Sequence, residues 1–304
     1  MTTLNLFQSL DMTKLGVDSP TITEATASQI TTRDGAATGR YFGNFSFAGG
    51  SLSGGTITGY ERIVAGVKTH EVSGASFSAI TVASYIANRD GQGLLTYILS
   101  GADTINGSTG NDILKGFAGN DSINGGQGTD TVVFSGSRAS YTVTNTASGF
   151  TVKHNSGSEG TDALTNIERI RFSDASVAFD TAGNGGQAYR LYQAAFNRTP
   201  DQGGLGFQMK ALDDGFSLAQ VAQNFINSPE FSATYGSLNT TQFVTQLYQN
   251  VLHRAPDAGG LAFHTGNLEG GVNSRAQVLV GFSESPENQA ALIGIIQNGM
   301  AFTL

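Results

Sequence analysis

Apolar and polar positions alternate most clearly through Tyr41-Phe42-Gly43-Asn44-Phe45-Ser46-Phe47, which puts Tyr41, Phe45 and Phe47 on one face of a strand. The turn Ala48-Gly49-Gly50-Ser51 ends it, and Gly54 to Val67 holds one or two further strands. Residues 78 to 88 are expected to form a short helix that stops at Asn88-Arg89-Asp90-Gly91. Residues 1 to 98 therefore read as a β-rich N-terminal domain. Further along, Tyr141 to Val143, Phe150 to Val152 and Ile167 to Asp174 are strand-like runs between Gly, Ser and Asn turns. In the last run, Glu168, Arg169 and Arg171 are expected to be solvent-facing charges.

From residue 187 the period changes. Ala188, Leu191, Tyr192, Ala195 and Phe196 follow the i, i+3, i+4, i+7, i+8 spacing of one helix face. The stripe recurs as Val244, Leu247, Tyr248, Val251 and Leu252, an offset of 56 residues from Ala188 to Val244. The segment from Arg198, Pro200 and Asp201 to Phe207 likewise matches that from Arg254, Pro256 and Asp257 to Phe263. Ser217 and Gln220 have capping-box spacing, and Ser228-Pro229-Glu230 and Ser285-Pro286-Glu287 are helix starts. Arg198/Asp201 and Arg254/Asp257 are expected to order turns between helices. This region is similar to the family called domain of unknown function 4214, itself similar to the helical linker domains of phycobilisomes. The resemblance implies a binding or assembly module.

Between these regions runs a nine-residue period. Gly recurs at 101, 110, 119 and 128, Asp at 103, 112, 121 and 130, and an apolar residue at 105, 114, 123 and 132. This is the glycine-rich G-G-x-G-x-D-x-U-x pattern of parallel β-helices that bind calcium, and it resembles the repeat-in-toxin (hemolysin-type) family. Each nonapeptide then makes a tight turn and a very short strand, and two complete a coil. Residues 18 apart stack, placing Asp103 over Asp121 and Asp112 over Asp130. Calcium takes six to eight oxygens, mixing carboxylates with carbonyls. The resemblance implies about two Ca2+ ions. One would sit on Asp103 and Asp121 with the carbonyls of Leu99, Gly101, Gly116 and Ala118. The other would sit on Asp112 and Asp130 with those of Ser108, Gly110, Gly125 and Gln127.

The expected fold class is α+β and multidomain. The β-rich region at 1–98 precedes a calcium-binding parallel β-roll at 99–134, a β-strand extension capping the roll at 135–182, and an all-α domain of two helical repeats at 187–304. Composition narrows the function. A net charge of −8 argues against a nucleic-acid partner. The absence of Cys excludes disulfides, zinc–thiolate sites and Cys nucleophiles. No apolar run is long enough for a transmembrane segment, and the N-terminus lacks the basic and apolar regions of a signal peptide.

The four His (His70, His154, His253 and His264) make no H-E-x-x-H motif, and no G-x-S-x-G elbow occurs. The protein is expected not to be an enzyme. By resemblance, export would use the type I secretion machinery and a C-terminal signal ending Met300-Ala301-Phe302-Thr303-Leu304. The expected function is that of an extracellular or cell-surface structural protein, folding on calcium and self-associating into a homopolymer: a surface layer, filament or matrix. The alternatives are a calcium-dependent adhesin that binds a cell-surface polysaccharide, with Tyr41 or Phe42 on an aromatic platform, and a polysaccharide-active enzyme.

Overall fold

A computed structural model describes residues 1–17 and 20–303. The chain forms two compact units, residues 1–174 and 175–304, with the α+β character expected. The N-terminal unit opens with β1 (Thr3–Leu6), followed by β2 (Thr21–Ala25), β3 (Gln29–Asp34), β4 (Ala37–Ala48), β5 (Ser51–Val64), β6 (Val67–Ser73) and β7 (Phe77–Ser78). Two helices follow, α1 (Ala79–Ala87) and α2 (Gly91–Ile98). Short strands β8 (Thr104–Asn106), β9 (Ile113–Leu114), β10 (Ser122–Asn124) and β11 (Thr131–Val133) fall on the repeats. The unit continues through β12 (Tyr141–Thr146), β13 (Gly149–His154), β14 (Thr161–Thr165) and β15 (Arg169–Arg171).

One sheet runs through this unit in the order β12-β13-β14-β10-β8-β1-β6-β5-β4-β3-β2. Its middle is parallel, because β1, β8, β10 and β14 stack as successive coils, with Leu4 on Ile105, Ile105 on Ile123 and Ile123 on Leu164. A second parallel stack sets Leu114 on Val132 and Val132 on Ile170. These apolar residues are all buried, and each fully buried aliphatic side chain contributes about 1.5–3 kcal/mol. Strand β1 pairs parallel with β8 and antiparallel with β6. The N-terminal segment is therefore both the first coil of the roll and a member of the antiparallel sheet. No exposed coil end is left on that side, where unpaired strand groups would otherwise face solvent.

Helix α1 matches the short helix expected at 78–88. Ser78 caps it by accepting the Thr81 N–H. Helix α2 was not expected, since Asn88-Arg89-Asp90-Gly91 read as a turn. Asp90 caps it through the Gly93 N–H, and its buried Leu95 helps hold it against the unit. The face predicted for Tyr41, Phe45 and Phe47 holds only in part. Phe45 is buried, while Phe47 is 37% exposed. A register shift between Ser46 and Phe47, beside the hairpin turn, interrupts the regular pairing there. Tyr41 lines two apolar cavities bordered by Ile57 and Val82, so it does not stand on an exposed platform.

The C-terminal unit begins with β16 (Ser176–Ala178) and contains α3 (Asn184–Phe196), α4 (Gln202–Asp213), α5 (Leu218–Ile226) and α6 (Pro229–Tyr235). The same four-helix order returns as α7 (Thr240–Leu252), α8 (Ala258–Glu269), α9 (Arg275–Ser283) and α10 (Pro286–Ile296), before β17 (Met300–Phe302) pairs with β16. Each apolar stripe lands in one core with Leu205, Phe225, Phe243 and Phe282. Ser217 with Gln220, and Ser274 with Gln277, form complete capping boxes.

The repeated polar residues order the turns. Asp201 accepts the Gly204 N–H at 2.7 Å and the Tyr192 hydroxyl at 2.9 Å, and Arg198 pairs with Glu230. In the second repeat Asp257 accepts the Gly260 N–H at 2.8 Å, and Arg254 pairs with Glu287. Of the segment read as an export signal, Met300 and Phe302 are buried, and Leu304 lies outside the described residues.

Candidate metal centre

Each glycine-rich turn returns its aspartate to the coil before it. Asp103 accepts the Thr2 N–H at 2.6 Å, Asp121 accepts the Asp103 N–H at 2.9 Å, and Asp162 accepts the Asp121 N–H at 2.9 Å. The opposite side repeats the chain of contacts. Asp112 accepts from Leu10 at 2.6 Å, Asp130 from Asp112 at 2.7 Å, and Glu168 from Asp130 at 2.8 Å. Two carboxylate ladders thus climb the two sides of the roll. In each of these carboxylates one oxygen is committed to a backbone donor.

The second oxygens decide the chemistry. Oδ2 of Asp103, of Asp121 and of Asp130 is buried without a hydrogen-bond partner. A buried carboxylate oxygen left in this state is costly unless a proton or a cation sits on it. Asp112 differs, because its Oδ2 accepts the Ser108 N–H at 2.7 Å and the Ser108 hydroxyl at 2.9 Å. In the two middle loops the free oxygen folds back on the first glycine. A carbon added to Gly116 would lie 2.4 Å from Asp121 Oδ2, and one added to Gly125 would lie 2.5 Å from Asp130 Oδ2.

The backbone of these loops is equally tight. Gly119 has φ +125°, and an added carbon there would meet the Gly101 carbonyl at 2.1 Å. The same test at Gly107 brings the Gly125 carbonyl to 2.0 Å, and at Gly128 the Gly110 carbonyl to 2.8 Å. Carbonyls of Gly101, Gly110 and Gly125 therefore lie between stacked turns, that of Gly125 on the same side of Gly107 as Asp112 Oδ2. The Ser108 carbonyl accepts the Gln127 N–H. Leu99 is buried at the C-terminal cap of α2, and Ala118 and Gln127 hold the third loop position before Gly119 and Gly128.

Among the described residues no three His, Cys, Asp or Glu side chains converge on one point. A cation here would be held by one or two carboxylates and by backbone carbonyls. That all-oxygen set, with buried oxygens still lacking a partner, fits calcium. When bound, the ion neutralises stacked like charges that otherwise repel.

Burial pushes the carboxyl groups of Asp121 and Asp130 up to about 7 and that of Asp162 to about 8, and neighbouring carboxylates push the same way. The backbone N–H donors oppose this without cancelling it. A raised carboxyl value means that the folded, metal-free ladder prefers its protons. Metal-free stability is thus fully present below the ordinary carboxylate range near 4 and falls as pH rises through about 7 to 8. Calcium must displace those protons, so its affinity is expected to increase from about pH 5 to pH 8. Calcium titrations at several pH values check this; an affinity that is flat or falls with pH would contradict it.

Phe117 has φ +69° where the next repeat has Gly126 at +97°. A bulky residue in the left-handed region carries about 1–2 kcal/mol of strain, partly offset by the greater unfolded-state freedom of glycine. Phe117→Gly is expected to stabilise the roll by about 0.5–1 kcal/mol, read from thermal melts in calcium. Destabilisation would show that the stacking of Lys115 over the Phe117 ring outweighs the strain.

The expected stacking of Asp103 on Asp121 and of Asp112 on Asp130 is present. Two rungs were not anticipated, Asp162 and Glu168. Glu168 takes the Asp130 N–H, and Arg169 is 7% exposed, which corrects the expectation of solvent-facing charges. The signal for Asp162 was Gly160-Thr161-Asp162-Ala163-Leu164-Thr165, which repeats the Gly-Thr-Asp-x-apolar pattern of Gly128-Thr129-Asp130-Thr131-Val132-Val133 out of the nine-residue frame; Glu168 carries no such pattern.

Fold and site together define a calcium-binding parallel β-roll joined to a β-sheet, in a chain that also has a unit of duplicated helices. The chain carries RTX calcium-binding nonapeptide repeats, matched in four copies at residues 97–132, and a domain of unknown function (DUF4214), matched at residues 222–292. No curated protein matches its sequence. Among solved structures, the crystal structure of extracellular lipase LipA from Serratia marcescens is similar over 27% of this chain and 16% of the lipase chain, at 21% identity and a TM-score of 0.18. This chain therefore spans well under a fifth of the lipase, and the likeness carries no argument about activity. RTX repeats point to a secreted, calcium-binding protein of the type I route. No helix among the described residues is long and apolar enough to cross a membrane.

Proposed function

We propose that this is a structural protein of the cell exterior, whose N-terminal unit is locked by calcium after export and which works by self-association rather than by catalysis. The observation that carries this reading is the splice of the roll into the sheet. Because β1 belongs to both, ordering of the coils by calcium extends through β6 to the outer strands. At the far edge, β2 is exposed along its whole length, and an open edge strand is a template for pairing with another chain. Calcium is low inside cells and millimolar outside, and extracellular modules bind it at about 10⁻⁴ to 10⁻³ M. The roll would then be only loosely held during passage and gain its full stability on arrival. The two ions of the repeats would rest on Asp103 with Asp121 and on Asp112 with Asp130.

For the adhesin alternative, Tyr41 is taken up in lining two apolar cavities, which leaves Phe42, 37% exposed, as the aromatic side chain it would use. Light scattering and electron microscopy of the full chain during a calcium titration test the assembly reading. Ordered polymers that appear with millimolar calcium and dissolve with chelator are expected. A chain that takes up calcium yet stays monomeric at high concentration would overturn self-association and leave the calcium roll standing.

A further inference from the structure

The repeat register outlasts the repeats. Strand β14 stacks parallel on β10, as β10 stacks on β8. Asn120 Oδ1 accepts the Thr161 N–H at 2.7 Å, as Asn111 Oδ1 accepts that of Thr129 at 2.9 Å. A carbon added to Gly160 would meet the Gly119 carbonyl at 2.0 Å, just as one on Gly119 would meet that of Gly101 at 2.1 Å. Asp162 is 1% exposed and reaches back to the Asp121 N–H. A loop outside the matched repeats thus reproduces these contacts of a repeat loop, although its Gly157, in the place of Gly116, lies against the His154 ring and not against its own aspartate.

We propose that loops 116–121 and 156–162 form a third calcium site, in which the Asp162 carboxylate and Oδ2 of Asp121 act with backbone carbonyls of both loops. The Asp121 oxygen is the independent pointer to a ligand, because this residue is 3% exposed and its Oδ2 has no hydrogen-bond partner while facing its own loop at Gly116. Glu159, the other acid nearby, is already engaged: it accepts the Ser135 N–H at 3.2 Å and the Tyr141 hydroxyl.

The opposite ladder does not gain a site in the same way. Between β14 and β15 it has only residues 166–168, with no glycine; the Asn166 carbonyl reaches the Gly125 turn, but Glu168 caps the Asp130 N–H without a full loop of carbonyls behind it. The third site rests on the reading of the roll as a calcium binder.

The test is an ion count by native mass spectrometry on the full chain titrated with calcium. The wild type is expected to hold three ions and Asp162→Asn two, with unchanged far-ultraviolet circular dichroism, because asparagine keeps an acceptor for the Asp121 N–H. Two ions in the wild type would overturn the third site while sparing the roll; none would overturn both. Three ions retained in Asp162→Asn, or an ion lost from Glu168→Gln instead, would also overturn it. Should Asp162→Asn not fold, the wild-type count of three against two decides.

Discussion

Stripped of calcium, the N-terminal unit is expected to melt about 10–20 °C lower, while the C-terminal helical unit melts where it did before. The magnitude follows from the ladders. Asp103, Asp121 and Asp130 each have a buried oxygen without a partner, and a buried charge left uncompensated costs several kcal/mol. Whole domains are stable by only about 5–15 kcal/mol. Losing roughly 4–6 kcal/mol from a unit of this size corresponds to that shift at 2–4 °C per kcal/mol. Protonation softens the loss at low pH, so the difference should be larger at pH 8 than at pH 5.5. The helical unit has no part in this, because its core is a continuous apolar cluster. Calorimetry with and without chelator reads both transitions; coincident loss of the two, or no loss of either, would contradict the expectation.

The second large effect is expected at Gly119. Gly119→Val adds side-chain carbon 2.1 Å from the Gly101 carbonyl oxygen, at a φ of +125° that L side chains rarely adopt. Neither neighbour can retreat, since both belong to backbone stacked between coils. A cost above about 4 kcal/mol is expected, enough to abolish the calcium-induced gain of β-structure. Gly101→Ala is the matched control. Its added carbon meets nothing within 4 Å, so it should cost no more than about 1 kcal/mol and keep calcium binding. Equal damage from both substitutions would show that glycine supplies flexibility here rather than close approach.

The roll was legible in the sequence because its physics has a short period. One Asp, one Gly and one apolar residue must recur every nine positions for the coils to stack, and all three do. The helical repeat was legible for a similar reason: caps such as Ser217 and Ser228 and the stripe through Leu191 and Tyr192 are local signals.

What was missed is non-local. Asp162 and Glu168 occupy ladder rungs, but the β12–β13 hairpin separates them from the repeats and breaks the frame. Thr2 and Leu10 close the other end through backbone N–H groups, which any residue but proline could supply. No side-chain pattern marks them. Helix α2 hid behind the turn-like run Asn88-Arg89-Asp90-Gly91, whose identity is overridden by the Asp90 cap and by burial of Leu95.

The most direct measurement is hydrogen exchange on the full chain, with and without calcium, read at the amides of the ladders. Thr2, Asp103 and Asp121 on one side, and Leu10, Asp112 and Asp130 on the other, donate into carboxylates that calcium should fix. Their protection is expected to rise sharply with millimolar calcium, together with that of β1 and β6, while helices α3 to α10 stay unchanged. Ladder amides that exchange equally fast with and without calcium would contradict the assignment of the roll as the calcium centre.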